Sequence, residues 1–225
     1  MSLNSIYDGD PSRYEELRQC WLNERRAEFI SKRLQSWDLP AGASVLEIGS
    51  GTGQLLRKLS VSFPTLQFFG LEPQPEYVEY SIARTATSNL HFACGKAEAA
   101  AGLFNTRFSG VLSNDVLHHV DSVPGTVASV SEIAAPLSRW LAIEPNALNP
   151  YAFLGQSLKS GEKNFRPREY LRAARACGWS LETHWYIFAI PPFVRATPPP
   201  WLQKLELVLE RIPFIGGGVY VETKR

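Results

Sequence analysis

The sequence has little cysteine and no long apolar run, and each deficit excludes a class of protein. Its three cysteines, Cys20, Cys94 and Cys177, are odd in number and far apart, which argues against a disulfide scaffold and against a metal site. No apolar run approaches the roughly 18 residues that a membrane-spanning helix needs. Charges begin at Asp8, and no apolar segment of a signal peptide follows. We therefore expect a cytoplasmic protein that binds no metal.

The sequence also lacks an excess of charge of either sign. The 23 Lys and Arg residues nearly balance the 22 Asp and Glu residues, for a net charge of +1. A nearly neutral chain has no basic field to attract nucleic acid, and no basic tail or aromatic platform motif is present. We therefore expect no nucleic-acid partner.

The most informative stretch is an apolar run that ends in three glycines, from Val45 to Gly53. The apolar residues predict a buried strand, and the spacing of Gln54 to Leu59 predicts a helix directly after the glycine turn. Glycine lets the backbone approach a ligand because no side chain intervenes. The free N–H groups and the dipole at the helix start suit a phosphate or a carboxylate.

The spacing of the glycines separates the candidate ligands. A dinucleotide fingerprint, Gly-x-Gly-x-x-Gly, needs a further glycine where Gln54 or Leu56 stands. A P-loop ends in Gly-Lys-Ser/Thr, which is absent here. The pattern that remains is Glu-x-Gly-x-Gly-x-Gly, from Glu47 to Gly53. It resembles motif I of the class I S-adenosyl-L-methionine (SAM) dependent methyltransferases, and an accidental glycine turn is the alternative.

The resemblance implies a cofactor and the residues that bind it. In this family the glycine loop runs beneath the methionine part of SAM, and the matching residues are Gly49, Ser50, Gly51 and Gly53. The family's acid two residues before the first glycine lies near the ammonium group of SAM, and here that acid is Glu47.

The second predicted strand carries the next candidate for cofactor binding. Glu72 ends this strand, is followed by Pro73, and resembles the family's motif II acid. A carboxylate at this place accepts hydrogen bonds from both hydroxyls of a ribose. Enzymes that bind NAD share the feature, so Glu72 alone does not distinguish the two cofactors.

The sequence departs from the family pattern after the third predicted strand. Lys96 stands where the family often has an acid that contacts the adenine amino group. The resemblance leaves Ala97 and Glu98 for the adenine edge. Glu98 can equally cap the first turn of the next helix.

The segment after the fourth predicted strand resembles motif IV of the small-molecule branch of the family. This branch includes sugar and natural-product O-methyltransferases, in which a His-His pair follows the fourth strand. The resemblance implies that Asn114, Asp115 and Val116 line the cofactor. It also implies that His118 or His119, at the start of a helix, faces the acceptor.

Histidine suits methyl transfer to a hydroxyl. A hydroxyl attacks poorly while it keeps its proton, and a base poised near neutral pH contributes roughly 10²–10⁴-fold in rate. We expect His118 to be the base, with His119 as the alternative. We expect Glu144, at the end of the fifth predicted strand, to orient that histidine or to hold an acceptor hydroxyl; a plain strand-end acid is the alternative. Asn146 and Asn149 are either acceptor contacts or turn residues.

The order of the predicted elements indicates the fold class. Strands that alternate with helices after a glycine turn predict βαβ units and a mainly parallel sheet. With the resemblance, we expect a Rossmann-like, doubly wound α/β fold with seven strands, helices on both faces and an antiparallel last strand at the edge. Residues 1–225 would form one methyltransferase domain. It would comprise a helical lid over 1–40, a SAM-binding core over 41–190, and a C-terminal part over 191–225 with a proline-rich connector, an amphipathic helix and the last strand.

The segments outside the core are expected to determine the substrate. Arg13 to Leu34 predicts one lid helix, and Tyr7 and Tyr14 are candidate lid contacts or core residues. Trp201 to Ile212 predicts an amphipathic helix with two basic and two acidic residues. Because these charges balance, we expect this helix to pack on the sheet or on a second subunit of a homodimer, and membrane contact is disfavoured.

These inferences predict a SAM-dependent methyltransferase that acts on a small molecule. The acceptor would be a hydroxyl of a sugar or secondary metabolite, and S-adenosyl-L-homocysteine (SAH) would be a product. One alternative is a different acceptor, namely a protein, a quinone or a lipid-linked glycan. Another is a protein that binds SAM or SAH without transferring a methyl group, and Lys96 gives that alternative weight. A nicotinamide enzyme is disfavoured by Gln54 and Leu56.

Overall fold

The structure is a computed structural model that describes residues 9–157, 164–191 and 193–225. The strands are β1 (Ser44–Ile48), β2 (Gln67–Glu72), β3 (Leu90–Cys94), β4 (Phe108–Asn114), β5 (Ala134–Pro145), β6 (Ser180–Ile187) and β7 (Gly218–Lys224). The helices are α1 (Pro11–Leu17), α2 (Trp21–Ser36), α3 (Gln54–Ser62), α4 (Pro75–Ala83), α5 (Ala100–Leu103), α6 (Val123–Ile133), α7 (Pro150–Ser157), α8 (Pro167–Ala176) and α9 (Pro200–Leu209). A 3-10 turn over Ala97–Ala99 precedes α5.

The strands form one sheet in the order β3-β2-β1-β4-β5-β7-β6. Only β7 runs antiparallel to its neighbours, so the predicted fold class is confirmed. The expectation that β7 forms the edge is wrong, because it pairs with β5 on one side and β6 on the other. Its run Val219-Tyr220-Val221 is buried, as suits an interior strand, and the largely exposed β6 forms the edge instead.

Apolar side chains cover both faces of the sheet, as a parallel sheet requires. All five residues of β1 are buried. One face packs on α2 and α3 through Ile30, Leu34, Leu56 and Leu59. The other face packs on α6 and α8 through Val127, Val130, Tyr170 and Ala174.

The N-terminal segment forms two helices, so the prediction of one helix over Arg13 to Leu34 is wrong. The chain leaves α1 after Leu17, and Cys20 is extended (φ −146°) before α2 begins. The break lets α1 pack on α4 while α2 packs against α3 and the sheet. Tyr7 lies outside the described residues.

The C-terminal helix α9 also differs from expectation. Its buried residue is Glu206, whereas Trp201 and Val208 of its apolar side are 66% and 67% exposed. The prediction that this apolar side packs on the sheet is therefore wrong. Glu206 and Glu210 face the protein instead, where their carboxylates accept hydrogen bonds from backbone N–H groups. Among the described residues, no helix has the length and apolar character needed to cross a membrane.

Candidate active site

The carboxyl ends of the parallel strands bring the predicted site residues to one edge of the sheet, where open α/β folds bind ligands. Glu47 belongs to β1, Glu72 ends β2, Asn114 ends β4, and Glu144 lies near the end of β5. The glycine loop follows β1, and the His-His pair follows β4. The strands thus juxtapose groups that are far apart in sequence.

Each glycine of the loop is required by its backbone conformation. Gly49, Gly51 and Gly53 have φ angles of +66°, +53° and +71°, in the left-handed region that favours glycine. A Cβ on Gly49 would clash with Val116, and one on Gly53 would lie 2.5 Å from Phe92. The loop therefore passes close to Val116 after β4 and to Phe92 of β3.

Glu47 is a buried acid whose carboxylate lacks a full set of partners. It is 3% exposed, and its Oε2 atom has no hydrogen-bond partner among the described residues. Burial raises the pKa of Glu47 to about 8, although the charge of Arg18 opposes that increase. Ser50 Oγ and Asn114 Oδ1 are likewise buried without a partner within the described ranges. Buried polar atoms are normally hydrogen-bonded, so this set of oxygens fits a ligand that brings donors and a positive charge.

Glu72 holds the glycine loop in place. Its Oε2 accepts from the N–H of Gly51 at 2.9 Å, and its Oε1 accepts from the N–H of Gln74 at 3.2 Å. Burial raises the pKa of this carboxyl above its ordinary value. Each carboxylate oxygen has a second lone pair, so the side chain keeps the capacity to accept from ribose hydroxyls. Pro73, which follows it, is exposed.

The proposed adenine side is formed by the turn after β3. Ala97 is buried there, while the Glu98 carboxylate accepts from the N–H of Ser122 at 3.1 Å. Ser122 is the N-cap of α6, so Glu98 caps a helix, although not the helix that directly follows it. Lys96 is at the surface and forms an ion pair with Asp121 at 2.7 Å.

Asp115 is positioned by two arginines that the sequence analysis did not identify. Arg26 of α2 donates to both oxygens of its carboxylate, at 2.5 and 2.9 Å, and Arg18 lies 3.7 Å away. Burial alone would raise the pKa of Asp115, but Arg26 and Arg18 outweigh it and hold the pKa below its usual range. The side chain of Asp115 thus faces the N-terminal helices, and its backbone (φ +56°) remains at the site.

His118 and Glu144 form a buried pair. His118 Nδ1 lies 2.7 Å from Glu144 Oε2, and both side chains are buried. The other oxygen of Glu144 accepts from the N–H groups of Val116 and Leu117, at 3.1 and 2.8 Å. Glu144 therefore fixes the loop and the imidazole together, which is one of the two functions considered for it above.

His119 has a more exposed position than its neighbour. Its ring lies against that of His118, with the centroids 3.9 Å apart. The pair lies in a turn closed by the bond from His119 N–H to the Val116 carbonyl, so the prediction of a helix start is wrong. A turn lets both rings lie at one place, whereas adjacent helix residues would point about 100° apart.

Asn146 and Asn149 bind backbone carbonyls of the turn before β7. Asn146 donates to Pro213 and Gly216, and Asn149 donates to Phe214 and Ile215. Of the two functions considered for these residues, the structure supports the turn contacts.

Helix α1 contacts the glycine loop. A Cβ on Gly51 would lie 3.4 Å from the ring of Tyr14, and Tyr14 packs on Tyr77 with ring centroids 5.2 Å apart. An ion pair between Glu15 and Arg57 fastens α1 to α3 at 2.7 Å. Sequence reasoning missed Tyr77, because a tyrosine in an amphipathic helix has the pattern of a core residue. Its hydroxyl is buried without a partner among the described residues.

The chain matches a family model described as a methyltransferase domain over residues 20–184. It is 30% identical over 90 residues to a malonyl-[acyl-carrier protein] O-methyltransferase from Acetivibrio thermocellus, a match that covers 40% of this chain and 31% of that protein. The chain's matches span less than a third of the curated relatives' own lengths.

Solved structures show the same fold at low sequence identity. A putative methyltransferase in complex with the Trm112 methyltransferase activator of Haloferax volcanii superposes with a TM-score of 0.68 at 18% identity, over 98% of this chain and 96% of that chain. A geranyl diphosphate C-methyltransferase from Streptomyces coelicolor, solved with Mg²⁺, geranyl diphosphate and SAH, gives 0.64 at 13% identity, over 90% and 81%. The family match covers most of the chain, and the fold and the glycine loop agree with it. The chain therefore belongs to the methyltransferase domain family, as a class I SAM-dependent methyltransferase domain.

Proposed function

We propose that this protein transfers a methyl group from SAM to a hydroxyl of a small-molecule acceptor, with His118 as the general base. The observation that carries the proposal is the buried contact of 2.7 Å between His118 Nδ1 and Glu144 Oε2. It lies next to the residues proposed to bind SAM, in a turn whose N–H groups are bound by the same carboxylate.

The pair defines which nitrogen of His118 is basic. A carboxylate can only accept, so Nδ1 carries the proton and the Nε2 lone pair is the basic site of the neutral ring. His118 Nε2 would take the hydroxyl proton as the acceptor oxygen attacks. Glu144 then stabilises the imidazolium and keeps its orientation, because the Nδ1–H bond is retained.

Residues at the carboxyl edge of the sheet fit SAM. Glu47 would accept hydrogen bonds from the ammonium group of SAM, and Glu72 would accept them from the ribose hydroxyls. The backbone from Gly49 to Gly53 would lie beneath the methionine part of SAM. Ala97 and Glu98 remain proposed neighbours of the adenine edge. When bound, SAM supplies a methyl group activated for in-line displacement, and the methyl ether and SAH are the products.

The acceptor class rests on the His–Glu pair and on the relatives. The name of the Acetivibrio thermocellus relative describes O-methylation, and the Streptomyces coelicolor neighbour acts on a small molecule. The Haloferax volcanii neighbour is bound to a methyltransferase activator. The methyl-transfer assay should therefore also test whether this protein needs a partner protein for activity. Three free cysteines favour a cytoplasmic location.

The alternative of a SAM-binding protein without transferase activity loses its main support. Lys96 gave that alternative weight, but its ammonium group pairs with Asp121 at the surface. Methyl transfer gives the buried His118–Glu144 pair a chemical function beyond its support of the turn after β4.

The first test is calorimetric titration of the purified protein with SAM, SAH and NAD. We expect micromolar binding of the first two and none of NAD. Radiolabelled methyl transfer to a panel of sugars, phenols and hydroxylated metabolites then identifies an acceptor. Absence of SAM binding would contradict the cofactor assignment.

The second test is Glu144→Gln, which keeps the shape of the side chain. One amide oxygen can still accept from Val116 and Leu117, but the amide nitrogen then faces His118 Nδ1 and favours the wrong tautomer. We expect kcat to fall roughly 10²–10⁴-fold, with the Kd for SAM changed less than about twofold. His118→Ala should give a similar loss.

His119→Ala is the matched control for this prediction. Because His119 is exposed whereas His118 is buried against Glu144, we expect kcat to fall less than about tenfold. Unchanged turnover in both Glu144→Gln and His118→Ala would show that His118 is not the base.

A further inference from the structure

Helix α9 buries its charged side and exposes its apolar side. Glu206 accepts from the N–H of Ile190 at 3.0 Å, and Glu210 accepts from the N–H of Phe188 at 2.8 Å. Arg25 of α2 lies 3.4 Å from Glu206 and 3.8 Å from Glu210. Both carboxylates are thus withdrawn from solvent, at 2% and 8% exposure, and anchor the helix to the end of β6.

The opposite side of α9 forms an apolar surface that is open to solvent. Trp201, Leu205 and Val208 share one helix face by their spacing, and this face is opposite Glu206. Further exposed apolar side chains flank the helix in sequence. We define the C-terminal patch as residues that are each 41–67% exposed: Phe193, Trp201, Leu205, Val208, Ile212 and Phe214. Exposed apolar residues that share one helix face, as Trp201, Leu205 and Val208 do, are typical of an interaction surface.

The charges that remain exposed within the segment that carries the patch have one sign. The charged residues between positions 185 and 218 are Arg195, Lys204, Glu206, Glu210 and Arg211. The two acids are buried, whereas the three basic residues are exposed. The sequence predicted a helix with equal numbers of acidic and basic residues. In the fold, this segment exposes only basic residues beside its aromatic and aliphatic side chains.

We propose that the C-terminal patch docks on a membrane surface that contains anionic lipid. An amphipathic helix lies in the interface with its apolar face at the headgroup level, and exposed basic residues add attraction to anionic headgroups. Charge complementarity favours a lipid surface over a second copy of this chain, whose patch would carry the same positive charges. This proposal goes beyond methyl transfer and does not depend on it.

Helix α9 is linked to the proposed active site through α2. Arg25 contacts the buried acids of α9, and the adjacent Arg26 holds Asp115. Phe193 packs on Tyr151 of α7, a helix that begins five residues after Pro145 at the end of β5.

The test is co-sedimentation of the full chain with vesicles. One set contains phosphatidylcholine alone, and the other adds about 30% phosphatidylserine, to give a surface like an anionic leaflet. We expect at least about tenfold stronger partitioning onto the anionic vesicles, weakened by salt. The double substitution Trp201→Ser/Val208→Ser should reduce it about tenfold, and Lys204→Gln/Arg211→Gln about fivefold per charge.

The matched control is Val61→Ser, which removes an equally exposed valine from α3. It should leave vesicle binding unchanged. Circular dichroism verifies that each variant folds, and calorimetry with SAM verifies that the cofactor site is intact, so failure of docking is separable from failure of the proposed function.

Two results would overturn the proposal. One is equal, weak partitioning onto both vesicle types. The other is a dimer in light scattering that Trp201→Ser/Val208→Ser converts to a monomer, without vesicle binding by the wild type. The second result would assign the patch to an interface between two copies.

Discussion

Two buried glutamates, Glu47 and Glu222, lie in the same row across the sheet but differ in their hydrogen-bond partners. Glu47 of β1 pairs in register with Leu112, Leu112 with Leu141, and Leu141 with Glu222 of β7. The two leucines pack in the cluster that contains α2, so the row faces the α2 side. The two acids therefore differ in their partners rather than in burial.

Glu222 is satisfied within the chain. It accepts from Arg33 at 2.6 Å, from Trp37 Nε1 at 2.8 Å and from Arg139 at 3.0 Å, and the Tyr220 hydroxyl also donates to it. Burial alone would raise its pKa, but these donors hold the pKa of Glu222 below its ordinary value. Such an acid belongs to the architecture of the fold.

Glu47 has the reverse properties. No described residue donates to its Oε2, and burial raises its pKa to about 8. A buried carboxylate without hydrogen-bond partners lowers the free energy of unfolding. A cationic ligand that binds the carboxylate can remove that destabilisation. The comparison indicates that donors within the chain, and not burial, distinguish the structural carboxylate of Glu222 from Glu47, the carboxylate proposed to bind SAM.

The largest expected effect is on stability, from Glu222→Ala. Removing this carboxylate leaves Arg33 and Arg139 without their shared partner, and breaking a buried pair typically costs about 3–5 kcal/mol. Urea unfolding, followed by circular dichroism, measures the change. Glu47→Gln, measured beside it in the absence of SAM, should have a much smaller effect or stabilise the protein, because no donor loses its acceptor. Equal losses in the two variants would remove the distinction.

The next effect is on cofactor affinity, from Glu47→Gln. A charge-assisted hydrogen bond contributes about 1.5–3 kcal/mol, so the Kd for SAM should rise roughly 10–150-fold. Calorimetry at pH 7 measures the change. Asp38→Asn, which alters an exposed acid away from the site, is the control and should leave the Kd unchanged. Unchanged affinity in Glu47→Gln would show that this carboxylate does not receive the ammonium group.

Local patterns predicted the parts of the fold that depend on neighbouring residues. The apolar run and glycine turn from Val45 to Gly53 identified β1, the loop and α3, because each depends only on adjacent residues. The position of β7 between β5 and β6 was missed, since strand order is set by packing between distant segments. The break between α1 and α2 was missed because both helices share one apolar periodicity.

The candidate site divides in the same way. Glu72 and Glu144 were predicted from the ends of their strands, which meet at one edge, whereas Glu47, His118 and His119 were predicted from the resemblance to motifs I and IV. Arg18, Arg26 and Tyr77 were missed, because the sequence does not show which helix residue reaches a distant acid or loop. The burial of Glu206 was missed for the same reason. The equal numbers of acidic and basic residues in the sequence of this helix therefore did not predict the charge of its exposed surface.

The effect that is smallest per pH unit is the pH dependence of stability that Glu47 contributes in the absence of SAM. Its pKa is raised from 4.5 to about 8 on folding, so between these values the folded state binds the proton that the unfolded state has released. Stability then falls as pH rises, by up to roughly 1.4 kcal/mol per pH unit for one proton. The contribution is complete below pH 4.5 and is lost by about pH 8. The measurement is the difference in unfolding free energy between wild type and Glu47→Gln from pH 5 to 8, in which other titrating groups cancel. We expect wild type to lose stability relative to the variant across this range. A difference that does not depend on pH would mean that Glu47 is ionised in the folded protein and has a partner, as Glu222 has.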